Sequence, residues 1–280
     1  MILPLANRCD KITQVKWGIR DFEHRFQRKP EGMWLAETAV NIETLEVLAE
    51  HGILFTILAP RQASRVSRKG GRKLVDVSGE RIDPSRAYTV QLPSRKAISV
   101  FFYDGPISHA VAFEGLLNDG QRFADRLLSG FSETRTWPQL AHIATDGESY
   151  GHHHRYGEMA LSYALHHIET NRLAELTNYG QFLDKFPADH FVEIVPDSSW
   201  SCTHGIERWR SNCGCNTGVP GGWNQEWLAP LRAAFDWLRD NLATVYEEQG
   251  DALLKDPWMA RDDYIQVILD RSNESLASFF

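Results

Sequence analysis

Three acidic residues stand where a parallel α/β fold would put them to use. Glu37 directly follows the short apolar run Met33-Trp34-Leu35-Ala36, and Asp146 and Glu148 directly follow the apolar stretch 139–145. Each run has the length and continuous hydrophobicity of a buried strand. In parallel α/β architectures, side chains at the carboxyl ends of strands line the site, so two strands would deliver carboxylates to one rim. A carboxylate pair facing one bond can cleave a glycosidic linkage: one group attacks or stabilises positive charge while the other protonates the leaving oxygen. A separation of about 5–5.5 Å would make such a site retaining. Strand-end acids also serve as helix N-caps or solvated loop residues, and the residues alone leave both readings open.

The elements that must position these acids follow from periodicity. Ile12, Val15, Ile19, Phe22 and Phe26 recur at helical spacing, which predicts an amphipathic helix over 10–28 that Pro30 stops. A second helix is expected over 42–51, closed by Gly52, followed by a buried strand over 53–59. Residues 73–103 have β-rich character with turns at Ser78-Gly79 and Asp83-Pro84, and contribute a hairpin before a strand at 97–102. Helices are expected over 106–116, 120–131, 153–170 and 178–186, and a strand over 191–195. Residues 197–223 are rich in Cys, Gly and Trp without a period and read as a long functional loop. Two further amphipathic helices, beginning with Leu228, Leu231, Phe235 and Leu238 and continuing over 252–270, end the chain. Alternating helices and apolar strands signal an α/β fold with a parallel sheet covered by helices. No internal repeat or low-complexity segment interrupts it.

Composition narrows the function classes. The 280 residues are 42% hydrophobic and 24% charged with a net charge of −7, as expected of a soluble globular chain and not of a nucleic-acid or anionic-membrane binder. The basic run Arg61, Arg65, Arg68, Lys69, Arg72 and Lys73 surrounds Gly70-Gly71 without interleaved aromatics and reads as a solvated hairpin or loop. No apolar run approaches the roughly 18–20 residues of a membrane span, and the start lacks the features of a signal peptide. A cytoplasmic setting is therefore expected. Among the four cysteines, Cys202, Cys213 and Cys215 have C-x10-C-x-C spacing. This lacks the paired C-x2-C of a structural zinc site, so the expectation is small buried thiols and no metal.

Two segments resemble signature motifs of glycoside hydrolase family 57. They are Glu31-Gly32-Met33-Trp34-Leu35-Ala36-Glu37, which is similar to a W-L-x-E motif, and Thr145-Asp146-Gly147-Glu148-Ser149-Tyr150-Gly151-His152, which is similar to a D-G-E-x-(F/Y)-G motif. The stretches 44–53 and Phe101-Phe102-Tyr103-Asp104 also resemble that family at corresponding places. The resemblance implies an incomplete (β/α)7-type barrel with a C-terminal helical segment, Glu37 as nucleophile, Asp146 as general acid/base and no cofactor. It extends to a subgroup with a C-terminal domain of unknown function, of which the run Asn212-Cys213-Gly214-Cys215-Asn216 looks typical. It therefore implies a catalytic barrel over 1–223 and a helical segment, the start of that domain, over 224–280. The family's opening H-x-P motif has no counterpart before Ile2-Leu3-Pro4-Leu5, and the chain ends at Phe279-Phe280. The expectation is accordingly a fragment lacking the first barrel strands.

The remaining candidates would contact sugar. Glu148 is placed to bond a hydroxyl or to act on Asp146 through its like charge. Trp34 is either core filler or a sugar platform. Trp200, Trp209 and Trp223 lie in or beside the irregular loop, and indole faces stack on the apolar side of sugar rings. Asp104 and His109 follow the strand at 97–102 as subsite candidates. His152-His153-His154 could form a metal cluster with Asp146, but consecutive residues at a helix start point in different directions. His152 is expected instead to donate to substrate or to a carboxylate.

The reading is a retaining hydrolase or 4-α-glucanotransferase-type enzyme on α-1,4-linked glucans, with hydrolysis, disproportionation and branching left open. The alternatives are a metal-dependent polysaccharide deacetylase-like hydrolase using Asp146 and His152–His154, and a non-catalytic glucan-binding protein. The partner is an α-glucan or maltooligosaccharide, with no nucleic acid and no membrane; the oligomeric state is open.

Overall fold

The computed structural model describes residues 1–215 and 222–279. Asn216, which ends the Cys-rich run singled out above, and Phe280 lie outside them. In chain order the elements are helices α1 (Arg8–Phe26) and α2 (Ile42–Glu50); strands β1 (Phe55–Leu58), β2 (Ala63–Arg68), β3 (Val75–Asp76), β4 (Ala87–Gln91) and β5 (Ala97–Phe102); helices α3 (Gly105–Phe113), α4 (Gly120–Leu128), α5 (Gly157–Thr170) and α6 (Tyr179–Lys185); strand β6 (His190–Ile194); and helices α7 (Leu228–Gly250), α8 (Pro257–Asp263), α9 (Ile265–Leu269) and α10 (Asn273–Phe279). No helix among the described residues is long and apolar enough to cross a membrane. The chain forms two compact units, Met1–Leu54 with Pro196–Phe280, and Phe55–Val195.

The first unit is helical. Asn7 caps α1 by accepting from the Asp10 N–H at 2.8 Å, and Asn41 caps α2 by accepting from the Thr44 N–H at 2.9 Å. Such caps satisfy amide groups that the first helical turn leaves without a partner. Lys11 of α1 is fully buried, and its ammonium meets the Glu43 carboxylate of α2 at 2.5 Å. A buried charge without such a partner would destabilise the fold. On its other flank α1 packs on α8 and α9, where Asp262 takes hydrogen bonds from Thr13 and, at 2.7 Å, from Lys16. Residues 252–270 therefore form two short helices where periodicity predicts one. Asp256 caps α8 ahead of Pro257, and a break at Tyr264 separates α8 from α9. Proline fits the first turn of a helix and not its interior.

The second unit contains a six-stranded sheet of order β1-β5-β4-β6-β2-β3. Pairs β1·β5 and β4·β6 are parallel, whereas β4·β5, β2·β6 and β2·β3 are antiparallel. The α/β class is as expected, but the sheet is mixed. The short connections between β2 and β3 and between β4 and β5 are hairpins, which can join only antiparallel neighbours. Of the basic run, Arg65, Arg68, Lys69, Arg72 and Lys73 lie in the β2–β3 hairpin, and Arg61 lies in the 3-10 turn Pro60–Gln62 just before β2. Phe55, Ala87, Phe101 and Phe182 form one buried cluster, and Ile107, Val111, Leu117, Phe123, Ala164 and Ile168 form a second among α3, α4 and α5.

Neither stretch expected to deliver the acids as a strand pairs as one. Residues 33–36 run as irregular chain into a 3-10 turn at Ala36–Thr38. Residues 139–145 make isolated backbone bonds, Leu140 N–H to Ser85 O and Asp104 N–H to His142 O, both at 2.9 Å. The 139–145 stretch is anchored by a side chain instead. His142 is buried, with Nε2 3.0 Å from Pro84 O and Nδ1 3.0 Å from the Tyr179 hydroxyl. A carbonyl can only accept, so Nε2 carries the proton and Nδ1 accepts from Tyr179, whose hydroxyl burial pushes up to about 12.

Burial brings the His142 imidazole down to about 4, although the Pro84 and Phe102 carbonyls partly oppose that shift. An unfolded histidine takes up its proton near about pH 6.5, so between the two values the unfolded chain binds more protons than the folded one. Stability should be unaffected by His142 above about pH 6.5 and fall as pH drops to about 4, by on the order of 3 kcal/mol in all. Urea unfolding of wild type and His142→Gln between these pH values checks this. The variant should lose the His142 part of the slope, and slopes of equal steepness would contradict it.

Candidate active site

Glu37 occupies an unusual backbone position. Its φ is 59°, and that of Thr38 is 49°. Both are left-handed, a region that costs residues bearing a Cβ about 1–2 kcal/mol each. The turn persists because its surroundings fix it. Val40 N–H donates to Ser198 O at 3.0 Å, and Trp200 N–H donates to Glu37 O at 3.1 Å. The Asn41 amide reaches Asp197 Oδ1 at 3.2 Å. Residues 37–41 are thus fastened to 197–200 through backbone and side-chain hydrogen bonds.

The same segment holds the Glu37 side chain. The Trp200 indole N–H donates to Oε2 at 3.0 Å, and the Ser201 hydroxyl donates to the same oxygen. Among the described residues none is hydrogen-bonded to Oε1, which leaves one oxygen of a half-buried carboxylate available. The Trp34 ring meets Trp200 edge-to-face at 5.0 Å and is itself 44% exposed. The structure therefore brings together Trp34, Glu37 and Trp200. Trp209 ends the 3-10 turn Gly205–Trp209 half-buried, and Trp223 is 77% exposed. Ser201 was not among the residues singled out in the sequence; its only signal there is its place after Trp200.

In the other unit, Asp146 and Glu148 are exposed on the 3-10 turn Gly147–Ser149 and its N-terminal edge. The turn is closed by backbone bonds: Ser149 N–H to Asp146 O at 3.0 Å, and His153 N–H to Glu148 O at 2.8 Å. Ala144 N–H donates to the Ser108 hydroxyl at 3.1 Å, tying the approach to Asp146 onto the first turn of α3. Asp104 caps α3 by accepting from the Ile107 N–H at 2.9 Å, and His109 bonds Glu114 at 3.0 Å. His154 bonds Ala112 O at 2.9 Å, while His152 and His153 are exposed.

Among the described residues, the side chains close enough to share a metal ion are Cys202, His204, Cys213 and Cys215, and not Asp146 with the three histidines. Burial raises the Cys202 thiol, but the His204 N–H and the Cys215, His204 and Cys213 side chains outweigh it and bring the group down to about 7.

Residues 1–195 match Glycosyl hydrolase family 57, and the chain belongs to that family. Residues 223–280 match a domain of unknown function, DUF3536. No curated protein matches the chain. Among solved structures, the fold is similar to an exo-type maltose-forming amylase from Pyrococcus sp. ST04, with TM-score 0.75, 16% identity and coverage of 99% of this chain and 49% of that one. It is also similar to a 4-alpha-glucanotransferase from Thermococcus litoralis, with TM-score 0.56, 19% identity and coverage of 76% and 31%. A branching enzyme from Pyrococcus horikoshii has TM-score 0.55, 20% identity and coverage of 74% and 47%. The chain thus spans at most about half of each of these enzymes. At these identities the likeness is one of fold: a mixed α/β architecture of the family's (β/α)7-barrel type with a C-terminal helical segment.

The left-handed turn yields a stability test. Glycine carries no penalty there, whereas alanine does, and neither keeps the carboxylate. Glu37→Gly should therefore be more stable than Glu37→Ala by about 1 kcal/mol in urea unfolding with unchanged m. Equal stabilities would mean that the turn is unstrained.

Proposed function

We propose that the protein is a retaining α-glucan hydrolase or transglycosylase, with Glu37 as nucleophile and Asp146 as general acid/base. The observation that carries this reading is the Glu37 carboxylate. It is fixed through Oε2 by Trp200 and Ser201, sits on a strained turn and has Oε1 available. Strain of this kind clusters at active sites, where it preorganises a reacting group. Membership of Glycosyl hydrolase family 57 supports the class of reaction. Three neighbours in fold whose names specify amylase, 4-alpha-glucanotransferase and branching activity support an α-glucan as substrate.

In the first step Glu37 Oε1 bonds to the anomeric carbon as its bond to the glycosidic oxygen breaks, and Asp146 transfers its proton to that oxygen. In the second step the Asp146 carboxylate takes a proton from water or from an acceptor sugar hydroxyl. The resulting oxygen attacks the anomeric carbon and releases Glu37. Two inversions give net retention. Trp34, beside Trp200 and partly exposed, offers a ring face for a sugar. Glu148 and His152, exposed around Asp146, offer polar contacts to sugar hydroxyls, and Trp209 and Trp223 offer further rings. Asp104 and His109 serve the fold through their α3 contacts and remain part of the proposed subsite.

Turnover of a maltooligosaccharide by wild type, Glu37→Gln and Asp146→Ala tests the assignment. Glu37→Gln should lower kcat at least about a thousandfold, roughly 4 kcal/mol in barrier; a variant within about tenfold of wild type would overturn the role. With an activated aryl glycoside, added azide should restore Asp146→Ala and yield the α-glycosyl azide. A β-glycosyl azide from that variant would place the intermediate elsewhere.

A further inference from the structure

The segment that holds Glu37 leads directly into the cluster of three thiols and one imidazole. Cys202 follows Ser201, and its Sγ lies 3.4 Å from Cys215 Sγ, 4.0 Å from Cys213 Sγ and 3.6 Å from His204 Nδ1. Cys215 Sγ lies 3.4 Å from the same nitrogen, and all four donor atoms fall within 4.8 Å of one another. A tetrahedral zinc ion with Zn–S near 2.3 Å and Zn–N near 2.0–2.1 Å separates its ligands by about 3.5–3.8 Å. The cluster has nearly these edges. None of the sulfur pairs is a disulfide, and three sulfurs cannot pair off between themselves.

The chain around the cluster is shaped to bring the donors together. The ligands come as two one-residue spacings, Cys202-Thr203-His204 and Cys213-Gly214-Cys215. Gly214 has φ +78°, which turns the chain between its two cysteines and which a residue with a Cβ resists. Gly205 has φ +62°, and a Cβ there would overlap Asp197 O, so glycine alone lets the chain after His204 fold back on 197. The His204 N–H points at Cys202 Sγ at 3.3 Å, an amide-to-sulfur bond that stabilises a thiolate. Cys213 Sγ lies 3.7 Å from Gln225 Oε1, the one other polar group placed against these sulfurs among the described residues. Sequence spacing misses this set because it contains no C-x2-C pair, and because the fourth ligand is a histidine two residues past a cysteine.

We propose that Cys202, His204 Nδ1, Cys213 and Cys215 bind one zinc ion in a closed, structural site. Three sulfurs and one imidazole nitrogen in tetrahedral array suit Zn²⁺, whereas calcium and magnesium take oxygen ligands. On binding, each of the three thiols releases its proton to solvent and the histidine coordinates as neutral imidazole. With four protein ligands the ion has no open position for substrate or water. Its effect is mechanical: it closes the irregular chain 202–215 into a loop whose first ligand adjoins Trp200 and Ser201, the two donors on Glu37. The site is independent of the chemistry proposed for Glu37, because it is read from its own geometry.

The test is elemental analysis of the full chain, purified with zinc present and then dialysed. Wild type and Cys9→Ser should retain about one zinc per chain, and Cys213→Ser and Cys215→Ser below about 0.2, each checked for folding by circular dichroism. Cobalt exchanged into wild type should give thiolate-to-metal charge-transfer bands in the near ultraviolet and the intense visible bands of a tetrahedral ion. Wild type that purifies without zinc and takes up neither zinc nor cobalt, or zinc that survives folded Cys213→Ser and Cys215→Ser variants, overturns the proposal. So does a cobalt spectrum without thiolate bands, which would put the ion elsewhere. These readouts do not involve glucan turnover, so a failed zinc site and a failed glycosidase assignment remain distinguishable.

Discussion

The site depends on one forced turn. Glu37 and Thr38 adopt backbone angles that their side chains disfavour, and the turn holds because 197–201 binds it at the backbone and at the carboxylate. The two requirements are linked. Without Trp200 and Ser201 the Glu37 carboxylate would lose its fixed orientation, and without the Val40–Ser198 pairing the turn would relax toward ordinary extended or helical angles. Preorganisation of this kind places the cost of orienting a charged group in folding and not in each catalytic cycle.

The support for the turn reaches into the helices on one side and the Cys-rich loop on the other. Asn41 caps α2 with one side-chain atom and contacts Asp197 with another, so the start of the helix and the end of the turn share a residue. The ion pair between buried Lys11 and half-exposed Glu43 then fixes α2 to α1. On the loop side there is little regular structure to resist unravelling. A metal ion held by Cys202, His204, Cys213 and Cys215 would supply the rigidity that secondary structure does not.

Much of the scaffold is legible in the sequence, because burial imposes periodicity. α1, α2, α3, α4, α6 and α7 lie where apolar spacing predicts them, as do β1, β5 and β6. What misleads is the short apolar run. Residues 33–36 and 139–145 are hydrophobic enough to be strands, yet strand status depends on a neighbouring ladder, which no local pattern encodes. Helix α5 begins at Gly157 and not near 153, because residues 147–156 close tight turns around Asp146 first. The motif carboxylates are visible as motifs, whereas Ser201 and His204 are not. Ser201 matters through a loop that folds back across more than a hundred residues of sequence, and non-local closure leaves no periodic trace; His204 is hidden because its nearby cysteines lack the usual pair spacing.

The direct test of Glu37 as the group that bonds to sugar is chemical trapping. A 5-fluoroglycosyl fluoride forms a glycosyl-enzyme quickly and releases it slowly, so the adduct can be located by proteolysis and mass spectrometry. The sugar is expected on the peptide containing Glu37, attached through its carboxylate as an ester. Attachment to any other carboxylate, or turnover of the reagent with no adduct on Glu37, would contradict the assignment.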